Sequence, residues 1–222
     1  MHCKRFYTFK RIVFRISRKV NTKESLKIGQ KYSFFEKTNK YGYLELDQLI
    51  KSCAKKNREA REKLYYIYEK KLFKVCLKYC RSYEEAEDHL HDVFIEIFEN
   101  IKKYRGKGSF EGWMKRIVIN KAIDKYKKKR MYALKDEKIQ MFSEDVTITI
   151  KDLSASIEDV MGLIRELPDQ YRLVFNLYQL DGYSHKDIAR MLNISEGTSK
   201  SNLHRAKIKL KEKVMALKNS GS

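Results

Sequence analysis

Apolar residues recur at helical spacing from Asp47 to Lys129, with no proline in between. The clearest series alternates steps of three and one along a single helix face: Leu90, Val93, Phe94, Ile97, Phe98 and Ile101. Such a series predicts an amphipathic helix with one buried stripe. The acidic residues Glu84, Glu85, Glu87 and Asp88 precede it, as expected where a helix N-terminus favours negative charge.

Two further apolar series predict helices on either side of this one. The first consists of Leu64, Ile67, Tyr68, Leu72, Val75, Cys76 and Tyr79, and the second of Met114, Ile117, Val118, Ala122, Ile123 and Tyr126. Three or more such helices can bury their stripes only against each other, so the pattern predicts a compact helical bundle.

The helical period is lost between residues 132 and 155 and returns at Ser156. Val146–Ile150 fits either a short strand or an extended linker. Pro168 is suited to the first turn of a new helix, because its missing N–H would have no partner there. The pattern therefore predicts an all-α protein with two small helical domains, residues 45–131 and 156–217, joined by a flexible linker at 132–155. Residues 1–44 lack a sustained period and form either a disordered basic arm or an over-extended translation start.

The segment Ser184–Lys207 has the signals of a helix-turn-helix. Ser184 can cap a first helix, with Asp187 reaching back to it. Asn193 tolerates the left-handed turn and Ser195 can cap a second helix. The buried sides are predicted to consist of Ile188, Ala189 and Leu192 on the first helix and Leu203, Ala206 and Leu210 on the second. The alternative is an ordinary helical hairpin with a solvated polar face.

The second helix of this motif carries short polar and long basic side chains, which suit base edges and phosphates in a major groove. We expect these side chains to point outward: Thr198, Ser199, Lys200, Ser201, Asn202, His204 and Arg205. His185, by contrast, has no nucleophile beside it and is predicted to be a surface residue of the first helix.

Aromatic and basic residues alternate between Lys102 and Arg130. Aromatic faces stack on unpaired bases while cations follow the phosphates, so this composition favours a single-strand binding surface. The aromatic residues are Tyr104, Phe110 and Trp113, and the basic residues include Lys121 and Lys127. Trp113, Arg116 and Asn120 fall on one helix face. The alternative is a solvated lysine run beside aromatic residues, of which at least one belongs to the core.

Charge strengthens the nucleic-acid interpretation. The 222 residues include 49 Lys and Arg against 29 Asp and Glu, a formal net charge of +20 that favours acidic partners. Residues 132–156 invert the sign, with three basic and five acidic side chains. No apolar run approaches the roughly 18 residues that span a bilayer, so we expect no stable membrane insertion. Cys3, Cys53, Cys76 and Cys80 without a secretory signal indicate reduced thiols and a cytoplasmic protein.

Three motifs in order resemble the extracytoplasmic-function (ECF) sigma factors, a group of the sigma-70 family. DHLHDVFIEIF from Asp88 is similar to that family's polymerase-binding helix. YRG from Tyr104 followed by FEGWMKRIVIN from Phe110 is similar to its promoter-melting segment. LPDQYR from Leu167, with the helix-turn-helix, is similar to its region 4. The resemblance covers residues 47–130 and 156–216, and the acidic linker resembles the segment threaded through the RNA path of the polymerase.

The resemblance implies roles for particular residues. Asp88, His91, Asp92 and Glu96 would meet the coiled coil of the largest polymerase subunit, although the family more often has Gln at the position of His91. Tyr104 and Asn120 would hold a flipped base of the −10 element, with Tyr in place of the commoner Phe. Lys200, Ser201, His204 and Arg205 would recognise the −35 element, where Arg is frequent at the position of Lys200 and forms a bidentate fork to guanine.

By the same resemblance, the chain is not an enzyme and needs no cofactor and no small-molecule substrate. Its implied partners are core RNA polymerase and promoter DNA, and an anti-sigma factor is a further partner the family allows. Binding energy from base capture would open the duplex, because it offsets an unstacking cost of a few kcal/mol.

Three alternatives remain open at this stage. A metal-dependent nuclease would use Glu84, Glu85, Glu87, Asp88 and Asp92 as ligands. A polymerase-independent regulator would use the same helix-turn-helix. A zinc site would combine Cys76 and Cys80 with His89 and His91, but Cys76 continues an apolar stripe and core packing is the favoured interpretation.

Overall fold

The computed structural model describes residues 41–132 and 157–220, and their side chains over 45–129 and 159–216. Its α-helices are α1 (Tyr41–Ala54), α2 (Arg58–Tyr79), α3 (Tyr83–Asn100), α4 (Phe110–Tyr132), α5 (Ile157–Arg165), α6 (Asp169–Phe175), α7 (His185–Leu192) and α8 (Glu196–Ser220). A 3₁₀ turn, Ile101–Lys103, follows α3, and a π-helical segment, Asn176–Leu180, follows α6. The all-α prediction is confirmed, and no strand occurs in these two ranges.

Local hydrogen bonds explain where two of the helices begin. The side-chain oxygen of Asn57 accepts from the backbone N–H of Ala60 at 2.8 Å, which caps α2. Ser82 accepts from the N–H of Glu85 at 3.2 Å, while the Glu85 carboxylate accepts from the N–H of Arg81 at 2.7 Å. These bonds satisfy backbone donors that the helix itself leaves without partners. The predicted acidic start of α3 is confirmed by Glu84 and Glu85 in its first turn.

The described residues divide into two compact units, and α2, α3 and α4 each contribute to both. The first unit contains residues 41–72 and 90–114. Its core is aromatic: the ring centroid of Phe94 lies 4.5 Å from that of Tyr65 and 5.9 Å from that of Phe98. All six residues of the predicted α3 stripe are buried. The apolar stripe that the sequence predicts for α3 therefore lies in the core of this unit.

The second unit contains residues 73–89, 115–132 and 157–220. One apolar cluster joins α5, α6 and α8: Leu163, Ile164, Leu167, Tyr171, Ala206 and Leu210. Val75 and Cys76 of α2 and Val118 and Ile123 of α4 are also buried in this unit. Because the clusters come from helices far apart in sequence, the unit depends on tertiary packing and not on helix propensity.

Two aspartates, Asp169 and Asp181, each bind more than one side chain in the second unit. Asp169, at the first position of α6, binds Arg81 at 2.7 Å, Lys129 at 3.1 Å and Arg172 at 2.6 Å. Asp181 accepts from Lys78 at 3.0 Å and from the Tyr79 hydroxyl. Burial alone would raise the pKa of Asp169, but the hydrogen bonds from Arg81 and Lys129 and the charge of Arg172 lower it to about 2. Asp169 is therefore a carboxylate that the fold stabilises.

Two helix starts add detail to the predicted pattern. Helix α1 begins at Tyr41. Pro168 lies at the N-cap of α6, one position before the first turn that the sequence suggested, and its carbonyl accepts from the N–H of Arg172 at 2.9 Å. The basic extension up to residue 40, the linker at 133–155 and the segment Val146–Ile150 lie outside the described residues.

Candidate nucleic-acid interface

Helices α7 and α8 form the predicted helix-turn-helix, with each local signal in its expected place. The Ser184 hydroxyl accepts from the N–H of Asp187 and caps α7. Asn193 adopts the left-handed conformation, with φ of 55°. Ser195 accepts from the N–H of Thr198 at 2.9 Å and caps α8. The turn therefore follows from side-chain and backbone chemistry that is local in sequence.

Apolar packing fixes the two helices against each other. Ile188 and Leu192 of α7 are buried, as are Leu203, Ala206 and Leu210 of α8. The small side chain of Ala189, also buried, sits on the same face of α7 as Ile188 and Leu192. The predicted inward residues of both helices are confirmed.

The outward prediction for α8 is wrong for Ser199 and Asn202. Ser199 has no exposed surface and Asn202 is 6% exposed. Ser199 precedes Leu203 by four residues and Ala206 by seven. That spacing places it on the buried stripe of a helix, and it is the signal that the sequence interpretation missed.

The remaining candidate residues of α8 reach the surface to different extents. Lys200 is exposed, while Thr198, Ser201, His204 and Arg205 are partly exposed. The guanidinium of Arg205 donates to the Tyr171 hydroxyl at 3.3 Å, which links this helix to α6. The exposed face thus combines hydroxyls, a histidine and two cations over the first turns of α8, a composition that fits groove contacts.

His185, predicted to be a surface residue of the first helix, is partly exposed and makes two contacts. Its Nδ1 lies 2.9 Å from the Ser199 hydroxyl of α8. Its ring is stacked on Tyr178, with centroids 4.3 Å apart and planes inclined by 21°. Burial and the charges of Lys200 and Lys207 lower the pKa of His185, while Glu196 opposes that effect. The neutral imidazole is therefore favoured.

The aromatic residues before and within α4 form one contiguous cluster in the first unit. Phe110 and Trp113 are stacked with centroids 5.4 Å apart. Tyr104 lies 5.0 Å from Phe110 and 5.7 Å from Trp113. Phe110 is buried, whereas Tyr104 and Trp113 are partly exposed. The prediction that at least one of these aromatic residues belongs to the core is confirmed, and two rings remain accessible for stacking.

The loop that carries Tyr104 depends on two glycines. Gly106 and Gly108 have φ values of +71° and +80°, a conformation that L side chains rarely adopt. The Tyr104 hydroxyl donates to the carbonyl of Gly108 at 2.9 Å and closes the loop. The Tyr104 ring is thereby held beside Trp113 by its own loop.

Helix α4 also carries a basic surface. It carries eight Lys and Arg against two acidic residues. Arg116 and Asn120 are exposed, and Lys121 and Lys127 are partly exposed. Two other lysines are engaged within the second unit: Lys125 with Glu85 at 2.7 Å and Lys129 with Asp169. The predicted shared face of Trp113, Arg116 and Asn120 is consistent with their exposure.

Helix α3 has the opposite charge. It carries seven carboxylates and neither Lys nor Arg. Asp88 and Asp92 are exposed, and His91 and Glu96 are partly exposed. Their spacing of three or four residues places them on one side of the helix. His89 is instead buried, and its Nε2 lies 3.1 Å from the carbonyl of Val118. An acidic surface in so basic a chain suits a basic protein partner.

The metal-site alternatives find no support in the described ranges, where no group of three or more His, Cys, Asp or Glu could hold a metal ion. Cys76 and Cys80 are buried in the core. Burial raises the pKa of Cys80 to about 12 and that of Cys76 above its usual range. Both thiols therefore favour the protonated form, as expected for cysteines packed in the core. Separately, no helix in the described part of the chain is long and apolar enough to cross a membrane.

Comparison with known proteins gives two family matches. Residues 64–131 match the model for sigma-70 region 2, and residues 157–210 match the model for sigma-70 region 4. The chain is 30% identical to the ECF RNA polymerase sigma factor SigW of Bacillus subtilis, over 76% of this chain and 96% of that protein. It is 26% identical to the ECF RNA polymerase sigma factor SigM of Mycobacterium tuberculosis, over 73% and 81%.

Among solved structures, the chain is similar to the sigma factor RpoE of Bartonella quintana, crystallised with the anti-sigma factor NepR. The identity is 17% and the TM-score 0.42, over 68% of this chain and 94% of that one.

Proposed function

The chain belongs to the ECF sigma factors of the sigma-70 family, and on that premise we propose that it binds core RNA polymerase, recognises the −35 and −10 elements of promoters and promotes DNA melting. The observation that carries the proposal is the order of two matched segments, region 2 at 64–131 and region 4 at 157–210. The region 4 segment contains a complete helix-turn-helix and the region 2 segment contains the aromatic cluster with its basic helix. The two domains of the protein would be residues 45–131 and 156–217, joined by the linker at 132–155.

Recognition of the −35 element would be carried by the exposed face of α8. Lys200, Ser201, His204 and Arg205, with Thr198 at the start of the helix, offer donors to base edges and phosphates. The N-terminal turns of a recognition helix are the part that enters the major groove. Lys200 presents a single ammonium group, so its contribution is more to phosphate contact than to bidentate recognition of guanine.

Recognition of the −10 element would be carried by the aromatic cluster and α4. Tyr104 and Trp113 provide ring faces for unstacked bases, and Asn120 provides an amide for a base edge. Arg116, Lys121 and Lys127 lie on the same helix and would follow the phosphates. Stacking is worth about 1–3 kcal/mol per base, which is of the order of the unstacking cost. Melting would thus need no catalytic residue and no nucleotide hydrolysis.

Binding to the polymerase would use the acidic side of α3. Asp88, His91, Asp92 and Glu96 lie along two turns of the helix, and Asp88 and Asp92 are exposed. Partners then follow from the family: core RNA polymerase and promoter DNA, with an anti-sigma factor as a further partner. The chain itself would have no catalytic activity and would work in the cytoplasm, where RNA polymerase meets the chromosome.

The test is assembly and initiation with bacterial core RNA polymerase. We expect the wild-type protein to co-elute with core and to give specific transcripts from genomic fragments. Replacing Asp88 and Asp92 together by Ala should abolish both, because it removes two exposed carboxylates from the acidic surface.

The matched control is the double variant Glu45→Ala with Glu59→Ala, which removes two exposed carboxylates outside α3. It should behave as the wild type. Tight duplex binding by the free protein without any binding to core would contradict the proposal and indicate a polymerase-independent regulator. Metal-dependent nicking of supercoiled DNA that disappears in Asp88→Ala would indicate a nuclease.

A further inference from the structure

A polar link joins the first turns of α7 and α8. His185 is the first residue of α7, and its Nδ1 lies 2.9 Å from the hydroxyl of Ser199 in the first turns of α8. Ser199 is completely buried, so its hydroxyl depends on a protein partner. This contact connects the two helices at the end where the recognition helix would enter the groove.

The π-helical segment contacts one face of the His185 ring. Tyr178 lies in the middle of that segment and stacks on the imidazole at 4.3 Å. The segment is itself fixed: Asn176 and Leu177 are buried, and the N–H of Tyr183 donates to the carbonyl of Leu177 at 2.9 Å. The imidazole therefore has two contacts: its edge is hydrogen-bonded to the recognition helix, and one face is stacked on an aromatic ring.

Directional contacts matter here because the apolar interface does not set the position of α8 completely. Ile188 and Leu192 of α7 and Leu203 of α8 are buried, but hydrophobic packing is non-directional. A hydrogen bond to the first turns of α8 also limits rotation and sliding of that helix. Lys200 and Ser201 directly follow Ser199, so a small rotation at Ser199 would move both of them relative to a DNA groove.

We propose that His185 is a positioning residue for promoter recognition, which fixes the start of α8 through Ser199 while Tyr178 fixes the imidazole. The inference rests on the proposed function and assigns roles to three residues that would not touch DNA themselves. The buried serine, which the sequence suggested as a DNA contact, is the point at which the recognition helix is held. Preorganisation of this kind raises affinity by lowering the cost of ordering the binding surface.

The experiment uses holoenzyme assembled from the full chain and bacterial core RNA polymerase. The probe is the duplex that wild-type holoenzyme enriches from a randomised pool, compared with a scrambled duplex of the same composition. The readout is the Kd for the scrambled duplex divided by the Kd for the enriched duplex, which we call the Kd ratio. The Tm of each free variant is measured in parallel. A merely structural role would lower the Tm and leave the Kd ratio of the folded protein unchanged.

Four single variants separate the two contacts of the imidazole. His185→Phe keeps an aromatic ring for Tyr178 and removes the hydrogen bond, whereas His185→Asn keeps a polar atom close to the position of Nδ1 and removes the ring. Ser199→Ala removes the partner hydroxyl. Tyr178→Ala removes the stack, and Gln179→Ala, at the adjacent exposed position, is its control.

We expect His185→Phe and Ser199→Ala each to lower the Kd ratio about fivefold, as the loss of one buried hydrogen bond would do. The double variant should be no worse than either single variant, because both remove the same bond. His185→Asn should retain more of the ratio than His185→Phe. Tyr178→Ala should lower the ratio, and Gln179→Ala should leave it unchanged.

Unchanged ratios in His185→Phe and Ser199→Ala would overturn the inference while leaving the proposed function intact, as would losses that multiply in the double variant. Failure of the wild-type holoenzyme to enrich any duplex would overturn the proposed function and this inference with it. The two failures are therefore distinguished by the wild-type result alone.

Discussion

Asp169 joins three basic residues of the second unit through one carboxylate. Its carboxylate binds Arg81, Lys129 and Arg172, which come from three different parts of the chain. Its side chain is 23% exposed and that of Arg172 is 5% exposed, so this pair is shielded from solvent, whereas Arg81 and Lys129 are exposed. The pKa of Asp169 is lowered to about 2, so the folded protein favours the ionised form more than the unfolded chain does.

Replacing Asp169 by Asn should destabilise the protein at neutral pH and weaken its acid sensitivity. The folded pKa lies below the ordinary value of 3.8, so the carboxylate contributes stability above pH 3.8 that is lost as the pH falls towards 2. That contribution is up to about 2 kcal/mol. Urea unfolding at neutral pH and at pH 3 should therefore show a smaller difference for Asp169→Asn than for the wild type.

The matched control for this prediction is Asp124→Asn, which removes an exposed carboxylate from α4. It should follow the pH dependence of the wild type. An Asp169→Asn protein with unaltered stability at neutral pH would contradict the role assigned to this carboxylate.

At the scale of the element, the loop between the 3₁₀ turn and α4 shows how backbone conformation positions the Tyr104 ring, which we propose to bind the −10 element. Gly108 has φ of +80°, and a Cβ added there would meet nothing within 4 Å. Its carbonyl accepts the hydroxyl of Tyr104. A substitution at Gly108 would thus act through backbone conformation and not through a clash.

Gly108→Ala should cost about 1–2 kcal/mol, the strain of the left-handed conformation in a residue with a Cβ. If the loop yields instead, the Tyr104 ring moves and binding to single-stranded DNA weakens. Thermal unfolding and the affinity of the holoenzyme for a single-stranded −10 oligonucleotide would both report the change.

Gly162→Ala is the control, and we expect it to change stability in the opposite direction. Gly162 lies within α5, where its φ is not positive and the nearest atom to an added Cβ is the Arg165 guanidinium at 3.8 Å. Alanine there should stabilise the protein by about 0.5–1 kcal/mol. A Gly108→Ala protein as stable as the wild type and with unchanged oligonucleotide affinity would contradict the argument for the loop.

Elements that depend on neighbours in sequence were predictable, and contacts across the chain were not. The caps at Ser184 and Ser195 and the turn at Asn193 use residues within three or four positions, so the sequence contains all their parts. The stack of Tyr178 on His185 depends on a π-helical segment that has no sequence signature. Ser199 lies between these cases: its spacing from Leu203 indicated burial, but its hydroxyl favoured an outward interpretation.

At the scale of the whole molecule, acidic and basic residues are concentrated on different helices. Helix α3 is acidic throughout its polar surface, and α4 and α8 are basic, with seven Lys and Arg in α8 against two acidic residues. The net charge of +20 alone could not reveal this separation. We predict that this separation lets one chain bind a basic protein surface and nucleic acid at once.

Polymerase binding could not be predicted from periodicity and charge alone. Periodicity and charge predicted the bundle, the helix-turn-helix and a basic aromatic surface. An acidic surface on α3 indicates a basic partner without naming it, because electrostatic complementarity is shared by many proteins. The family relationship, with both regions matched in order, implies core RNA polymerase as a partner, and binding through α3 stays a prediction.

The most direct test of the account is whether the chain opens promoter DNA without nucleotide hydrolysis. Holoenzyme should be incubated, in the absence of nucleoside triphosphates, with the promoter fragment it enriches, and unstacked thymines detected by permanganate oxidation. The account predicts reactive thymines at the −10 element with wild-type holoenzyme and far fewer with Asn120→Ala. It predicts none with core polymerase or the chain alone. A stable complex protected at the −35 element, with no reactive thymine at −10, would contradict it.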